Sequence, residues 1–221
     1  SRSGRVLLRK IAIYFFAVLP IVMVALFYQK LPDLVPMQWG SEGVSRYGER
    51  WQLFFIAGIN ILIGIFMPIM AKIDPRKDNY AKFYSVYENI ILLIEVFLAV
   101  IMAITISECL YPGKISVARV VSGGVGLLFV FLGNIMPKIK SNFFTGIKTP
   151  WALSSEAVWN KTQKLGGKLF FFGGFFMVVG AVFAPIAMMP FVVGILVAAI
   201  VILPIIMSYI WYQEEIRLLN K

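Results

Sequence analysis

The sequence predicts an all-α, polytopic membrane protein with six transmembrane helices and an amphipathic helix between the fourth and fifth. Three observations carry that expectation. Mean hydropathy is +0.84 and only 14% of residues are charged, too few to cover a water-facing surface. Six apolar runs approach or reach the roughly 20 residues a helix needs to cross the hydrocarbon core; they lie at about 11–28, 52–70, 87–109, 119–136, 169–187 and 191–212. Of the 21 Lys and Arg, 16 fall in the segments that share a side with the two termini. Because cytoplasmic loops are enriched in Lys and Arg, both termini are expected in the cytoplasm, and 1–221 reads as one integral membrane domain.

Taken in order, the first run follows Arg5, Arg9 and Lys10 and ends in Tyr28-Gln29-Lys30-Leu31. That end lacks the small residues of a signal-peptide cleavage site, so the run is expected to stay as a span. The outer loop 29–51 holds Pro32, Pro36, Gly40, Gly43 and Gly48, which disfavour a long helix and predict a compact cap. Its aromatics Trp39, Tyr47 and Trp51, with Gln38, Arg46 and Arg50 beside them, read either as interfacial anchors or as a ligand-facing surface.

On the second span sits Asn60, and on the third sit Glu88 and Glu95, seven residues apart and therefore on one helix face. A carboxylate at mid-bilayer is costly, so Glu95 should face the bundle interior, protonated or paired. Asn60, Asn134 or a lysine of the following loop are its expected partners. Both a structural polar network and a proton or ion path fit that placement. Glu88, nearer the inner interface, is expected to pair with Lys138, Lys140 or Lys148.

Gly123, Gly124 and Gly126 make the fourth span suitable for close packing. Pro137 should end it, opening a cytoplasmic loop, 137–168. Within the loop, Thr149 and Pro150 form a helix start, an N-cap followed by proline at the first position. The helix is expected to stop at Gly166-Gly167, with Trp151, Val158, Trp159, Thr162 and Leu165 mainly on one face, as in a helix lying in the membrane interface. In the last two spans, Pro185 and Pro204 are expected to kink or end helices, while Gly180-x-x-x-Ala184 and Gly194-x-x-x-Ala198 suit close packing.

Several classes of function are disfavoured. The chain has no His and a single cysteine, Cys109, so no intrachain disulfide, His/Cys metal cluster or Ser-His pair can be assembled. SGGVG at 122–126 lacks a following Gly-Lys-Ser/Thr and is not a phosphate loop. No cofactor is expected, and enzymatic activity is not expected. The net charge of +10 sits at membrane boundaries, where anionic lipids attract it, so nucleic acid is not an expected partner.

The longest polar and basic stretch, 133–167, carries Gly133, Asn134, Met136, Pro137, Lys138, Lys140, Asn142, Phe144, Gly146, Ile147, Thr149, Pro150, Trp151, Leu153, Val158, Trp159, Lys161, Thr162 and Gly166. It resembles the signature of the SdpI family of bacterial membrane immunity proteins. Leu31, Pro32, Pro36, Trp39 and Gly43 resemble a weaker extracytoplasmic motif of that family. Gln38 and Gln163 stand where the family usually has histidine, Lys148 where it has arginine before Thr-Pro-Trp, and Ala152 where it has threonine. The resemblance implies protection against a secreted membrane-active peptide toxin, and the outer loop, the only sizeable extracytoplasmic segment expected, is where such a peptide would first make contact. It also implies a second role, capture of a small transcriptional repressor at the cytoplasmic signature. A small proton- or ion-coupled transporter or channel working through Glu95 is the alternative.

Overall fold

Where water is absent, the backbone must satisfy its own polar groups, so long apolar runs fold as helices. The computed structural model describes residues 2–40 and 42–220; Lys221 and the Arg2 side chain, counted above among the basic residues, lie outside the described residues. Six of the described helices are long and apolar enough to cross a membrane: α1 (Arg2–Phe27), α2 (Gln52–Ile73), α4 (Tyr84–Leu110), α5 (Val117–Ile135), α7 (Glu156–Phe183) and α8 (Met189–Leu219). Two short helices, α3 (Lys77–Tyr80) and α6 (Pro150–Ser154), lie in the connections. The bundle turns large apolar residues outward, with Phe55, Phe183 and Phe191 each more than two-thirds exposed, the reverse of a water-soluble surface. The chain is a multi-pass membrane protein.

The helices pack as two groups of three, α1, α2 and α4 in one and α5, α7 and α8 in the other, joined along α4 and α5. Glycine sets the tightest seam, between α5 and α7. A Cβ on Gly133 would lie 2.5 Å from the Phe171 nitrogen and 2.6 Å from the Gly167 oxygen, and one on Gly126 would lie 2.7 Å from the Gly174 oxygen. Backbone meets backbone at two levels, as small residues permit in membranes.

This seam corrects the expected interfacial helix. The chain does turn after Ser154, where Ser155 is extended (φ −142°, ψ 129°) and its Oγ accepts from Val158 N as the cap of α7. From there α7 runs without interruption through Gly166-Gly167 into the membrane. Those glycines are packing positions and not a helix stop: a Cβ on Gly167 would meet Gly133 O at 2.8 Å, and one on Gly166 would collide with Ile147. The amphipathic face of 156–168 is thus the first three turns of a transmembrane helix. Gly194 differs from expectation too, since a Cβ there would meet nothing within 4 Å.

The cap between α1 and α2 is a two-stranded antiparallel hairpin, β1 (Leu34–Gly40) and β2 (Gly43–Glu49). Register shifts between Pro36 and Trp39 interrupt the ladder, where Pro36 has no amide to donate. Val35 is buried, and Met37 and Trp39 alternate inward with it at the strand period of two. Two apolar cores result. One, under the hairpin, gathers Val24, Leu31, Val35, Leu53, Ala57 and Met102. The other, at the opposite end, gathers Tyr80, Phe83, Tyr87, Met136, Ile139 and Trp159.

Candidate functional site: a closed loop end and an open hairpin end

At the loop end, 139–149 folds into a plug held by three buried polar side chains. Asn142, fully buried, accepts through Oδ1 from Phe144 N (2.9 Å), Thr145 N (2.7 Å), Thr145 Oγ1 (3.1 Å) and the Tyr80 hydroxyl (3.2 Å), while its Nδ2 donates to Lys140 O (2.8 Å). Asp74, at the end of α2, accepts from Tyr80 OH, Phe143 N and Arg76 N. Gln163 on α7 accepts from Ile147 N at 3.0 Å and donates to Ile147 O at 2.7 Å. A carboxamide carries acceptor and donor side by side, so one side chain grips both backbone groups of a single residue. Gly146 precedes that residue at φ +90°, where an added Cβ would lie 2.8 Å from Gln163 Oε1. Position 163 therefore requires no histidine to do structural work.

Around the plug, Arg76 donates to Ser141 Oγ and to Leu153 O and lies over the Phe143 ring. Asn79 donates to Ser141 O. Trp159, fully buried, donates Nε1 to Ile139 O at 2.9 Å. Thr149 accepts from Ala152 N, capping α6 as expected, and its hydroxyl donates to Ser208 on α8. Thr162 donates to Val158 O within its own helix. Burial, with Asp74 beside it, pushes the Tyr80 hydroxyl far above the usual tyrosine range, so it remains a hydrogen-bond donor.

The signature thereby divides. Asn142, Thr149, Trp159 and Thr162 are buried in the fold, whereas Lys138, Lys148, Pro150 and Lys161 are exposed. Lys140 and Trp151 are half-buried, Trp151 against Tyr209. Lys148 Nζ donates to Phe143 O, and Lys161 lies over the Trp211 ring.

None of the three lysines expected to pair with Glu88 does so. Its partner is Arg9 of α1, at 2.9 Å, with the Glu88 side chain 5% exposed. An acid one turn into α4 faces α1, the helix packed against it, and the loop lysines lie elsewhere. Glu95 differs from expectation as well. Asn60 Nδ2 donates to the backbone oxygens of Phe16 and Glu95, at 3.2 Å each, and not to the carboxylate. Asn134 is exposed and lines a shallow cleft with Lys164 and Phe172. Both Glu95 carboxylate oxygens are buried without a hydrogen-bond partner, with Oε1 beside Gly64, where a Cβ would come within 3.1 Å.

The hairpin end is open. Arg50 is a tie, donating to Leu31 O (3.1 Å), lying over Tyr28 and pairing with Asp33 (3.4 Å). Trp51 is exposed and donates to Glu49. Gln38, Arg46 and Tyr47 are exposed on the outer surface. Trp39 differs, because it turns inward and lines three cavities. One of about 140 Å³ runs down to Asn60 between α2 and α4, one of about 350 Å³ opens toward α5 and α8, and one of about 170 Å³ reaches Glu108.

Sequence reading passed over Arg9, Asp74, Tyr80 and Glu108. Arg9 was counted as a topology charge, Asp74 lay in a short connection, and Glu108 stood at a span end beside Cys109. An acid at the edge of an apolar run was the available signal for Glu108.

Among known proteins, the model of the SdpI/YfhL protein family matches residues 138–209, and that of DUF1648, a domain of unknown function, matches 15–61. The protein of Bacillus subtilis (strain 168) named immunity protein SdpI is 24% identical over 187 residues, covering 85% of this chain and 87% of its own. No solved structure matches. The signature at 133–167, the family match over 138–209 and the similarity running through most of both chains make this chain similar to the SdpI/YfhL family.

Proposed function

We propose that the chain is a bacterial immunity protein of the cytoplasmic membrane, which protects the cell against a secreted membrane-active peptide. The observation that carries the reading is similarity to an immunity protein along 85% of the chain. The Lys and Arg distribution supports cytoplasmic termini, which sets the hairpin outside, where a secreted peptide arrives. Trp39 and the cavities beneath it then form the receiving face, with Arg46, Tyr47 and Trp51 on its rim. In the same orientation the exposed Lys138, Lys148, Lys161 and Lys164 face the cytoplasm, a basic surface suited to a small repressor with an acidic patch.

The test is expression in a sensitive bacterium, scoring survival and membrane potential under candidate peptide toxins. Protection without loss of the peptide from the medium supports immunity, and no protection against any of them overturns it. A cysteine placed at Lys164 checks the orientation, since labelling of intact cells by an impermeant reagent would reverse it. The unpartnered Glu95 favours one second reading, a proton- or ion-coupled transporter. In that case Glu95→Gln abolishes activity with the protein still folded, whereas an immunity protein that only sequesters its target keeps protecting.

A further inference from the structure

The 170 Å³ cavity beneath the hairpin tip is lined by two side chains, Trp39 and Glu108, that each carry a buried polar atom with no partner among the described residues. Trp39 Nε1 can only donate, and Glu108 Oε2 can only accept while ionised. Glu108 is 9% exposed, and its other oxygen accepts from Gly113 N at 2.9 Å, which fixes the carboxylate. Nearby cations leave it alone: Arg119 is turned to the Ala181 and Val182 oxygens at the end of α7, and Lys114 makes no ion pair with it. Buried polar groups are nearly always satisfied, so two orphans of opposite character on side chains that line one cavity point to a ligand.

The cavity continues into the apolar 350 Å³ trench between α5 and α8, sharing Trp39, Gly40, Val117 and Ala118 with it. Gly40 and Gly43 present bare backbone to the cavity, and a Cβ on Gly43 would meet nothing within 4 Å. A phosphate headgroup would call for a cationic donor here, and no Lys or Arg lines the cavity among the described residues. A peptide supplies all three matching features at once.

We propose that this cavity binds a peptide segment, with a backbone carbonyl on Trp39 Nε1, a basic side chain on Glu108 Oε2 and flanking apolar side chains in the trench. The assignment deepens the immunity reading and rests on it for the origin of the peptide.

The test uses the full chain in phosphatidylcholine nanodiscs and two fluorescently labelled probes, Leu-Val-Lys-Val-Leu and its twin with norleucine for lysine. Wild type is expected to bind the lysine probe about tenfold more tightly, the scale of one charge-assisted hydrogen bond. Glu108→Gln erases that preference and leaves the norleucine probe unchanged, while Trp39→Phe weakens both probes severalfold. Equal binding of the two probes by wild type, or a preference that survives Glu108→Gln, overturns the site. If the preference disappears in discs containing phosphatidylethanolamine, the occupant is a lipid headgroup and the peptide assignment falls. Cell survival is scored separately: protection without lysine preference removes this site alone, and lysine preference without protection removes the immunity reading alone.

Discussion

The two ends of the bundle treat buried polar groups in opposite ways. At the loop end Asn142, Asp74, Gln163, Trp159 and Thr149 all have partners, and Glu215 Oε2 is the one orphan there among the described residues. Toward the hairpin end and mid-membrane, Trp39 Nε1, Glu108 Oε2 and both Glu95 oxygens have none. A satisfied network rigidifies, so the loop is a fastener that ties α2, α5, α7 and α8 together. Unsatisfied groups beside cavities are held ready for something else. The most distinctive sequence in the chain therefore marks the most fixed part of the structure, and the chemistry left open lies at the other end, where Trp39 belongs to the weaker motif and Glu108 to none.

That contrast is broken most directly at Asn142. Replacing it with alanine strands two loop amides and the Thr145 hydroxyl, each worth roughly 1 to 3 kcal/mol when buried, while the Tyr80 hydroxyl keeps Asp74. Asn142→Ala should destabilise by about 4 kcal/mol or prevent accumulation of folded protein, read by thermal melting in detergent. A melt within a degree or two of wild type would show that the loop is not a fastener.

Arg9 and Glu88 extend the fastening to α1. Breaking a buried pair by removing one partner costs about 3 kcal/mol or more, because it leaves a charge without compensation. Arg9→Met and Glu88→Gln should each lower stability, and the double variant should lose less than their sum. Additive losses would mean that the 2.9 Å contact contributes little.

How far was this legible beforehand? The spans were, because a period-free apolar run of membrane length has one structural solution. The N-cap at Thr149 was as well, since its geometry is local. Gly166-Gly167 misled because a glycine pair signals a helix stop and a close helix contact with the same letters, and only the position of Gly133 on α5 decides between them. Glu88 misled because charge pairing was sought along the sequence neighbourhood of the signature, while the partner, Arg9, lies 79 residues away. The hairpin stayed hidden under its prolines and glycines, which announce turns but not the strands between them.

A titration at the loop end sharpens the comparison further. The Tyr80 hydroxyl titrates higher in the folded chain than its ordinary value of about 10, so the native state holds that proton longer than the unfolded state does. Its contribution is complete below about pH 10 and is lost as pH rises above that value. Tyr80→Phe should cost about 1.5 kcal/mol at neutral pH through the lost bonds to Asp74 and Asn142. The variant should also melt with a flatter alkaline arm than wild type. Parallel alkaline arms would place the titrating group elsewhere.

The finest comparison is a pair of near-isosteric exchanges, one at each end. Gln163→Glu keeps an acceptor for Ile147 N but sets a carboxylate oxygen against Ile147 O, where a donor stood at 2.7 Å. It should cost about 2 kcal/mol, the scale of a buried group left unsatisfied. Glu108→Gln runs the other way. Its Oε1 still accepts from Gly113 N, and the atom replaced has no partner to lose, while a buried charge is removed. Stability should therefore be unchanged or rise by up to about 1 kcal/mol. A loss of more than that in melting of the ligand-free chain would mean that Oε2 already has a structural partner, and the hairpin end would then be as closed as the loop.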